Sequence, residues 1–386
     1  MYNNLESFLN NWKDNSTYFE MLRLMASLSR LFSESATPYL DYRLTENLFC
    51  KYYEAQNDAR SCTAYDARLS SLGIGIKTFG IKNGTSLEKI AEFNKLRPKL
   101  AGLKGIDLAR QIAIFRNERM MFANNTYNVF ESQYHIVGRQ DGLLKVFNTP
   151  YEMVNVDAIC DIVEKEASIS FNDGQNEYSF NKSKSVLQKK FYLPNDFVDV
   201  PIDILEEPLE LLSQLLNEQT KVGALHRAEI KGYDYVILPL YSTRGGKNVP
   251  ERSGINQWNA NGRKRDADEV YISIPKSIHH NYPDFFPSRD IPFELRLPDG
   301  TSLSAKVCQA GGKALMSNPN AALGKWLLRK VLCKKEGELV TLEDLDTYGI
   351  DSVKIISTHE MNNNGERIYK IVFSNTDYED YSAFID

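Results

Sequence analysis

No stretch of the 386 residues comes near the roughly 18 consecutive apolar residues that a membrane-spanning helix needs, so no membrane span is predicted. Cysteine is scarce and scattered. Cys50, Cys62, Cys160, Cys308 and Cys333 are odd in number and none forms a C-x-x-C pair, which argues against a zinc site and against a disulfide framework. The opening segment MYNNLESFLNNWKDNSTYFE lacks the basic flank and apolar core of a secretory signal, and the expectation is a cytoplasmic protein. A phosphate-binding loop is absent too: Gly311-Gly-Lys313 is followed by Ala314, whose methyl cannot supply the hydroxyl that such a loop offers to magnesium, so an ATP-driven motor is not expected. None of His135, His226, His279, His280 or His359 begins an H-x-K motif, which argues against nuclease chemistry of the phospholipase-D type.

What is present is an ordinary globular composition, 42% hydrophobic and 25% charged, in a chain longer than one core usually supports; two domains are expected. The net charge of −5 says little about a nucleic-acid partner, because local charge governs such binding. Between Arg244 and Arg265 stand six bases (Arg244, Lys247, Arg252, Arg263, Lys264, Arg265) against one acid, Glu251. Between Asp196 and Glu218 stand seven acids and no base. Either run alone can be a solvated face.

Periodicity predicts helix over residues 17–57, with Leu44, Leu48 and Tyr52 spaced by four, and a strand at Leu72–Phe79. Thr85-Ser-Leu-Glu88 fits a capping box, predicting a helix with Leu87, Ile90 and Ala91 as its stripe. A helix is expected across Asp107–Asn117, strands at Tyr134–Val137 and Leu143–Phe147, and a hairpin joining Ser168–Phe171 to Tyr178–Phe180. Leu205, Leu209, Leu212 and Leu216 give an amphipathic helix. After a strand at Tyr233–Leu240 comes a Gly-, Pro- and charge-rich loop, then short strands at Val270–Ile274, Phe293–Leu297, Ser304–Cys308 and Val353–Ile356, suited to a small barrel or sandwich. The domain boundary falls near residue 225, dividing the chain into 1–225 and 226–386.

Metal-assisted DNA hydrolysis needs carboxylates to hold a cation and a basic group near the scissile phosphate. Asp66 and Lys77, in Ala64-Tyr-Asp66-Ala-Arg and Leu72-Gly-Ile-Gly-Ile-Lys77-Thr-Phe79, can sit at neighbouring strand ends. An isolated Asp…Lys pair is common by chance. The strand GIGIKTF followed by SLEKIAEFN, and the later YSFNKSKSVL, resemble the PD-(D/E)XK nuclease fold of many restriction enzymes. That family usually carries an acid two residues before the lysine; here the position is Gly75. The resemblance implies a displaced acid on the following helix, for which Glu92 is chosen over Glu88 because the capping box occupies Glu88. By the same resemblance Asp66 and Glu92 hold Mg2+, Lys77 orients water, and Glu46 on an upstream helix is a further catalytic group.

The C-terminal part is richer in signal. Ser253-Gly-Ile-Asn-Gln-Trp-Asn-Ala-Asn-Gly-Arg-Lys-Arg265 concentrates amides, which can read adenine, with arginines, which can read guanine or grip phosphate. A second polar cluster, Gln309-Ala-Gly-Gly-Lys-Ala-Leu-Met-Ser-Asn318, follows a strand. From Tyr235 to Glu360 the ordered segments SGINQWNANGRKR, EVYISIP, FFPSRDIPFELRLPDG, CQAGGKALMSNPN, LGKWLLRKVL and YGIDSV resemble the plant-type B3 DNA-binding pseudobarrel as it occurs in bacterial restriction enzymes. The resemblance implies one DNA-gripping arm with Asn256, Gln257, Trp258, Asn261, Arg263 and Arg265, and another with Lys313, Ser317 and Asn318. Trp258 can equally be a packing residue, Asn318-Pro319-Asn320 can be only a turn, and Trp326 reads as core.

These readings imply an α/β (mixed α+β) restriction-endonuclease-like domain followed by an all-β pseudobarrel. The function implied is that of a type II restriction endonuclease, with double-stranded DNA as substrate, Mg2+ as cofactor, a homodimer or sequential nicking for the double-strand cut, and a cognate DNA methyltransferase as a separate protein. The competing expectation is a sequence-specific DNA-binding protein whose nuclease-like half is inactive and serves dimerisation or regulation; Gly75 is its best support. A protein-interaction module accounts for neither the basic arm nor the ordered resemblance.

Overall fold

The computed structural model describes residues 4–58, 64–81, 83–214, 235–243 and 246–376. The chain separates into two compact units, Met1–Met120 with Val129–Ile230, and Met121–Asn128 with Lys231–Asp386.

The first unit begins with three helices, α1 (Leu5–Asn11), α2 (Ser16–Ser27) and α3 (Tyr42–Tyr52). The single helical stretch expected over 17–57 is therefore broken. Pro38 stands in the break, and α3 starts afresh where the Asp41 carboxylate accepts from the backbone N–H of Arg43 (2.8 Å) and Leu44 (3.3 Å). Among the described residues eleven strands follow in two sheets. Strands β1 (Gln56–Asn57), β2 (Ala67–Leu69), β3 (Leu72–Gly80), β5 (Glu131–Gln140), β6 (Leu143–Pro150) and β11 (Val198–Pro201) form one sheet in the order β1-β2-β3-β5-β6-β11. Strands β4 (Thr85–Glu92), β7 (Cys160–Glu164), β8 (Ser168–Asn172), β9 (Glu177–Asn181) and β10 (Val186–Tyr192) form the other, ordered β4-β10-β9-β8-β7. Between β4 and β5 run a short helix α4 (Arg97–Leu100) and the long α5 (Gly105–Tyr127), whose last residues from Met121 are counted with the second unit.

The hairpin β8–β9 stands where alternation places it, with Ile169 paired to Phe180. The segment Thr85–Glu92 does not form the expected helix; it is strand β4, antiparallel to β10 from Thr85↔Tyr192 to Glu92↔Val186, with a bulge between Lys89 and Ala91. A capping box contributes about 1 kcal/mol, whereas the ladder satisfies a whole strand of backbone groups and packs Ile90 and Ala91 against a core. Of the leucine-spaced helix, only residues 208–214 are described as helical; Leu205 precedes them outside any helix or strand with its N–H on the Ser27 carbonyl (2.9 Å), Leu209 is 68% exposed, and Leu216 lies outside the described residues.

Strand β3 runs parallel to β5, with Lys77 opposite Ile136, and antiparallel to β2. Its alternation builds two different faces. Leu72, Ile74 and Ile76 join Phe8, Tyr18, Leu22 and Phe49 of the helices in one core. Within that core His135 is fully buried between the Tyr18 hydroxyl on Nε2 (2.9 Å) and Asn148 Oδ1 on Nδ1 (2.8 Å). Burial depresses its pKa to about 4, which the Asn148 hydrogen bond only partly offsets. The other core of this unit packs α5 residues Leu108, Ile112 and Phe115 on Ile169, Phe171, Phe180 and Leu187 of the second sheet.

The second unit is a curled seven-stranded sheet made of β12 (Tyr235–Pro239), β13 (Ile272–Ser273), β14 (Pro292–Arg296), β15 (Ser302–Cys308), β16 (Ala314–Ser317), β17 (Ser352–Met361) and β18 (Arg367–Ser374). The order is β12-β17-β18-β14-β15-β16-β13, with every pairing antiparallel except β14 with β18. The outermost strands β12 and β13 approach one another again, so the sheet closes toward a half-barrel. The unit is not all-β as expected: short helical segments at Lys276–Asn281, Lys325–Val331 and Leu342–Tyr348 are part of it. Trp326 is 5% exposed and stacks on Phe373 (5.6 Å between centroids). Gly324 is dictated by space, since a Cβ there would lie 1.8 Å from the Asp268 carbonyl oxygen. Beside it Arg329 bonds the Asp268 carboxylate (2.6 Å) and the Ala267 carbonyl (2.9 Å), anchoring the base of the arm at 253–265.

Candidate functional site

The first constellation is assembled by α3, the residue before β2, and β3. Asp66 precedes β2; its backbone N–H donates to the Ile74 carbonyl (2.9 Å), and its Oδ2 accepts from the Ile76 N–H (2.7 Å). The carboxylate is thereby fixed against the strand that carries Lys77. Glu46 comes from α3, with its side chain only 6% exposed and its Oε2 accepting from Arg43 Nη1 (2.9 Å). Electrostatics tie the group together. Burial raises the pKa of Glu46, the nearby Asp66 charge raises it further, and Arg43 and Lys77 oppose both. Asp66 is likewise raised by burial and pulled back by Lys77, by the Ile76 N–H and by Arg43. A groove of about 270 Å³ opens on this group, lined by Glu46, Lys77 and Glu88 with Tyr42, Lys89 and Ile90 among the others.

The helix expected to present Glu92 as the second acid is instead strand β4. In strand β4 Glu92 is paired with Lys89 and accepts from Asn94, while its own carbonyl accepts from Arg119 (2.5 Å). Those partners hold the pKa of Glu92 down, Lys89 foremost. Glu92 does not line the groove; Glu88 does, with the Ser86 hydroxyl donating to its Oε1 (2.5 Å). Glu88 was set aside for a capping role that a strand does not contain. Recognising it needed the strand assignment of 85–92. Among the described residues, no three Asp, Glu, His or Cys side chains converge tightly enough to hold a metal unaided.

Gly75, where an acid was expected, lies under aromatic rings. A Cβ on it would stand 2.7 Å from Tyr151 and 2.8 Å from Tyr134, which are stacked on each other at 3.9 Å. The Tyr151 hydroxyl donates to the Ala64 carbonyl (2.6 Å), two residues before Asp66. Behind the rings lie Arg116, 3% exposed and donating to the Glu152 carbonyl (2.9 Å), and Lys189, 5% exposed, whose pKa burial lowers to about 8 with help from Arg116. Arg116 and Lys189 are thus interior. Lys182 is paired with Glu164 and Lys190 with Glu177.

In the second unit the predicted arms divide into struts and exposed groups. Asn256 is fully buried: its Nδ2 donates to the carbonyls of Val340 (2.8 Å) and Pro250 (3.2 Å), and its Oδ1 accepts from the Val340 N–H (2.9 Å). Its amide is spent on backbone and cannot face a base. Ser317, 1% exposed, is likewise a strut, donating to the carbonyls of Pro319 (2.8 Å) and Asn320 (3.3 Å) and accepting from the Leu323 N–H (2.8 Å). Arg265 turns inward and ties up the carbonyls of Ala260 (2.6 Å), Asn261 (3.0 Å) and Arg263 (3.3 Å). Arg263 is 54% exposed but engages buried Glu269 with both terminal nitrogens. Gln257 and Trp258 are half-buried, and the indole N–H of Trp258 and Oε1 of Gln257 are enclosed without a partner among the described residues. Asn261, Lys264, Lys313 and Asn318 are exposed, and their side chains engage no described partner. Arg244 lies outside the described residues.

No curated protein matches the chain. Residues 232–359, roughly a third of the sequence, match the family model described as the NgoFVII C-terminal B3-like DNA-binding domain; the match takes in β12 to β16 and most of β17, and β18 lies beyond it.

Proposed function

We propose that the chain is a site-specific DNA endonuclease of the restriction type, with residues 1–225 as a PD-(D/E)XK-like nuclease domain and 226–386 as the DNA-binding domain. The observation that carries the nuclease half is that Glu46 of α3 and Lys77 of β3 line one groove, with the Asp66 carboxylate, fixed on the Ile76 N–H, within electrostatic reach of both. The order α3, β1, β2, β3, α5, β5, with β3 parallel to β5, supports it, because it is the mixed α/β frame on which such a site is built. The DNA-binding half rests on the family match over residues 232–359.

The residues fit a divalent cation. Two carboxylates, the charge of Asp66 reaching the almost fully buried Glu46, form an acceptor-only pair whose positive neighbours are Arg43 and Lys77. Magnesium is commonly held by one or two carboxylates together with water and phosphate oxygens. Glu46 and Asp66 would hold it, and when bound it would acidify the attacking water and neutralise phosphate charge. Lys77 supplies a fixed positive charge to the phosphorane-like transition state and keeps the water in line. Glu88, facing the groove, takes the place first given to Glu92. Attack on phosphorus would leave a 5′-phosphate and a 3′-hydroxyl. Lys264, Lys313, Asn261 and Asn318 are the described arm residues whose side chains are available to double-stranded DNA. One such active site cuts one strand, so a homodimer or sequential nicking completes a double-strand cut. A cytoplasmic location and a separate cognate methyltransferase belong to the same reading; among the described residues no helix is long and apolar enough to cross a membrane.

Gly75 favours a second reading, in which the first unit is catalytically inert and the chain only binds DNA. Incubation of the protein with plasmid and genomic DNA, in magnesium or in EDTA, separates the two. Discrete magnesium-dependent fragments are expected. Specific binding with intact DNA would leave only the second reading.

A further inference from the structure

Arg43 stands beside the carboxylate pair, between solvent and the groove-lining Glu46. Its guanidinium holds Glu46 at 2.9 Å, yet the side chain is 45% exposed while Glu46 is only 6% exposed. It lies over the ring of Tyr42 (5.1 Å), an exposed groove-lining residue, and its charge reaches Asp66 as well as Glu46. One cation thus serves as counter-ion to both carboxylates while nearly half of its side chain stays open to solvent. A divalent cation drawn to Glu46 and Asp66 needs the same negative charge. The two cannot share it fully, because an arginine and a dication on the same carboxylates repel each other.

We propose that Arg43 is an exchangeable counter-ion. It neutralises the carboxylate pair while no metal is present, and on metal entry it transfers from Glu46 to a phosphate of the bound DNA strand. The inference rests on the nuclease reading above. Guanidinium suits both duties, because its fork matches a carboxylate and a phosphate equally and its charge does not titrate away. The Tyr42 ring supports the cation in either position. The displacement links metal occupancy to the grip on DNA, so the site gains a phosphate contact only when it is charged for cleavage.

The test uses the full chain in two measurements. Thermal unfolding is followed against magnesium chloride alone, for the wild type, Arg43→Gln and Arg43→Lys. Loss of the competing charge is expected to tighten magnesium binding by about tenfold in Arg43→Gln, and Arg43→Lys, which keeps the charge, should stay near the wild type. Affinity for a mixed-sequence duplex is then measured against potassium chloride, in EDTA and in calcium. In calcium, Arg43→Gln should lower the salt slope by about 0.9, one phosphate contact, whereas in EDTA it should leave the slope unchanged. A merely structural ion pair would give metal binding unchanged or weakened and no calcium-dependent change in slope; either result overturns the assignment. Failure of magnesium to stabilise the wild type at all would sink the nuclease reading together with it, whereas wild-type stabilisation without the Arg43→Gln gain removes only the counter-ion exchange.

Discussion

In the first unit, residues picked out singly from the sequence come together: Glu46 and Lys77 line one groove, and Asp66 lies within electrostatic reach of both. In the second unit the reverse holds. A whole pattern of segments matches a family over 232–359, yet Asn256, Ser317 and Arg265, chosen from those segments as DNA contacts, are interior struts. Segment similarity reports the fold that a run of residues builds. It does not separate the polar groups that build the fold from those that use it. A polar side chain in a tight loop is as often recruited to satisfy buried backbone as to face a ligand.

That contrast can be broken or sharpened. The largest effect is expected from Lys77→Ala, which should reduce cleavage by about a thousandfold, read on plasmid substrate, while gel-shift binding survives. Loss of binding along with cleavage would assign Lys77 to the fold instead. Next, Asn256→Ala should lower stability by about 3 kcal/mol by orphaning buried carbonyls and the Val340 N–H, seen as a fall in denaturation midpoint; a DNA-specificity change at unaltered stability would return Asn256 to the interface. Placing the expected acid at position 75 tests the opposite unit. Gly75→Asp should cost about 2–3 kcal/mol by driving a side chain into Tyr134 and Tyr151, and should not raise cleavage. A gain in cleavage would show that the missing acid, and not the crowded face, is what matters at that position.

Two pH effects of opposite sign follow within the first unit. His135 is neutral in the fold with its pKa near 4, against about 6.5 unfolded, so its contribution is intact above pH 6.5 and lost as pH falls toward 4; about 3 kcal/mol of acid destabilisation should vanish in His135→Asn. Glu46 has a raised pKa, so it contributes stability below the ordinary carboxylate range, which is lost as pH climbs through its raised value. Glu46→Gln should therefore raise the melting temperature by ~2–4 °C at pH 8 without magnesium, and abolish the stabilisation that magnesium gives the wild type. The smallest effects belong to the exposed arm residues. Lys264→Ala and Lys313→Ala should leave melting unchanged and each reduce the salt slope of DNA binding by about 0.9.

Much of the fold was legible where periodicity and packing agree. The alternation in Leu72–Gly80 and in the hairpin around 173–176 is a period of two with an apolar face, and the structure keeps both as strands. Legibility failed where a local signal competed with a distant partner. Thr85–Glu88 has the chemistry of a helix start, but β10, about a hundred residues later, pairs with the whole segment. That one misreading carried the site with it, since Glu88 and Glu92 exchange their prospects when 85–92 is extended.

By itself the sequence determined the chemistry available: acids and a lysine able to serve phosphate hydrolysis, a strand kept bare by glycines, and an ordered set of barrel segments. These follow from residue type and short-range spacing, which the chain carries locally. Only tertiary structure decided which acid faces the groove, why position 75 bears no side chain, and which amides and arginines are spent holding the arms together. Each of those depends on what a distant part of the chain places against the residue, whether a tyrosine ring, a backbone carbonyl or a second strand.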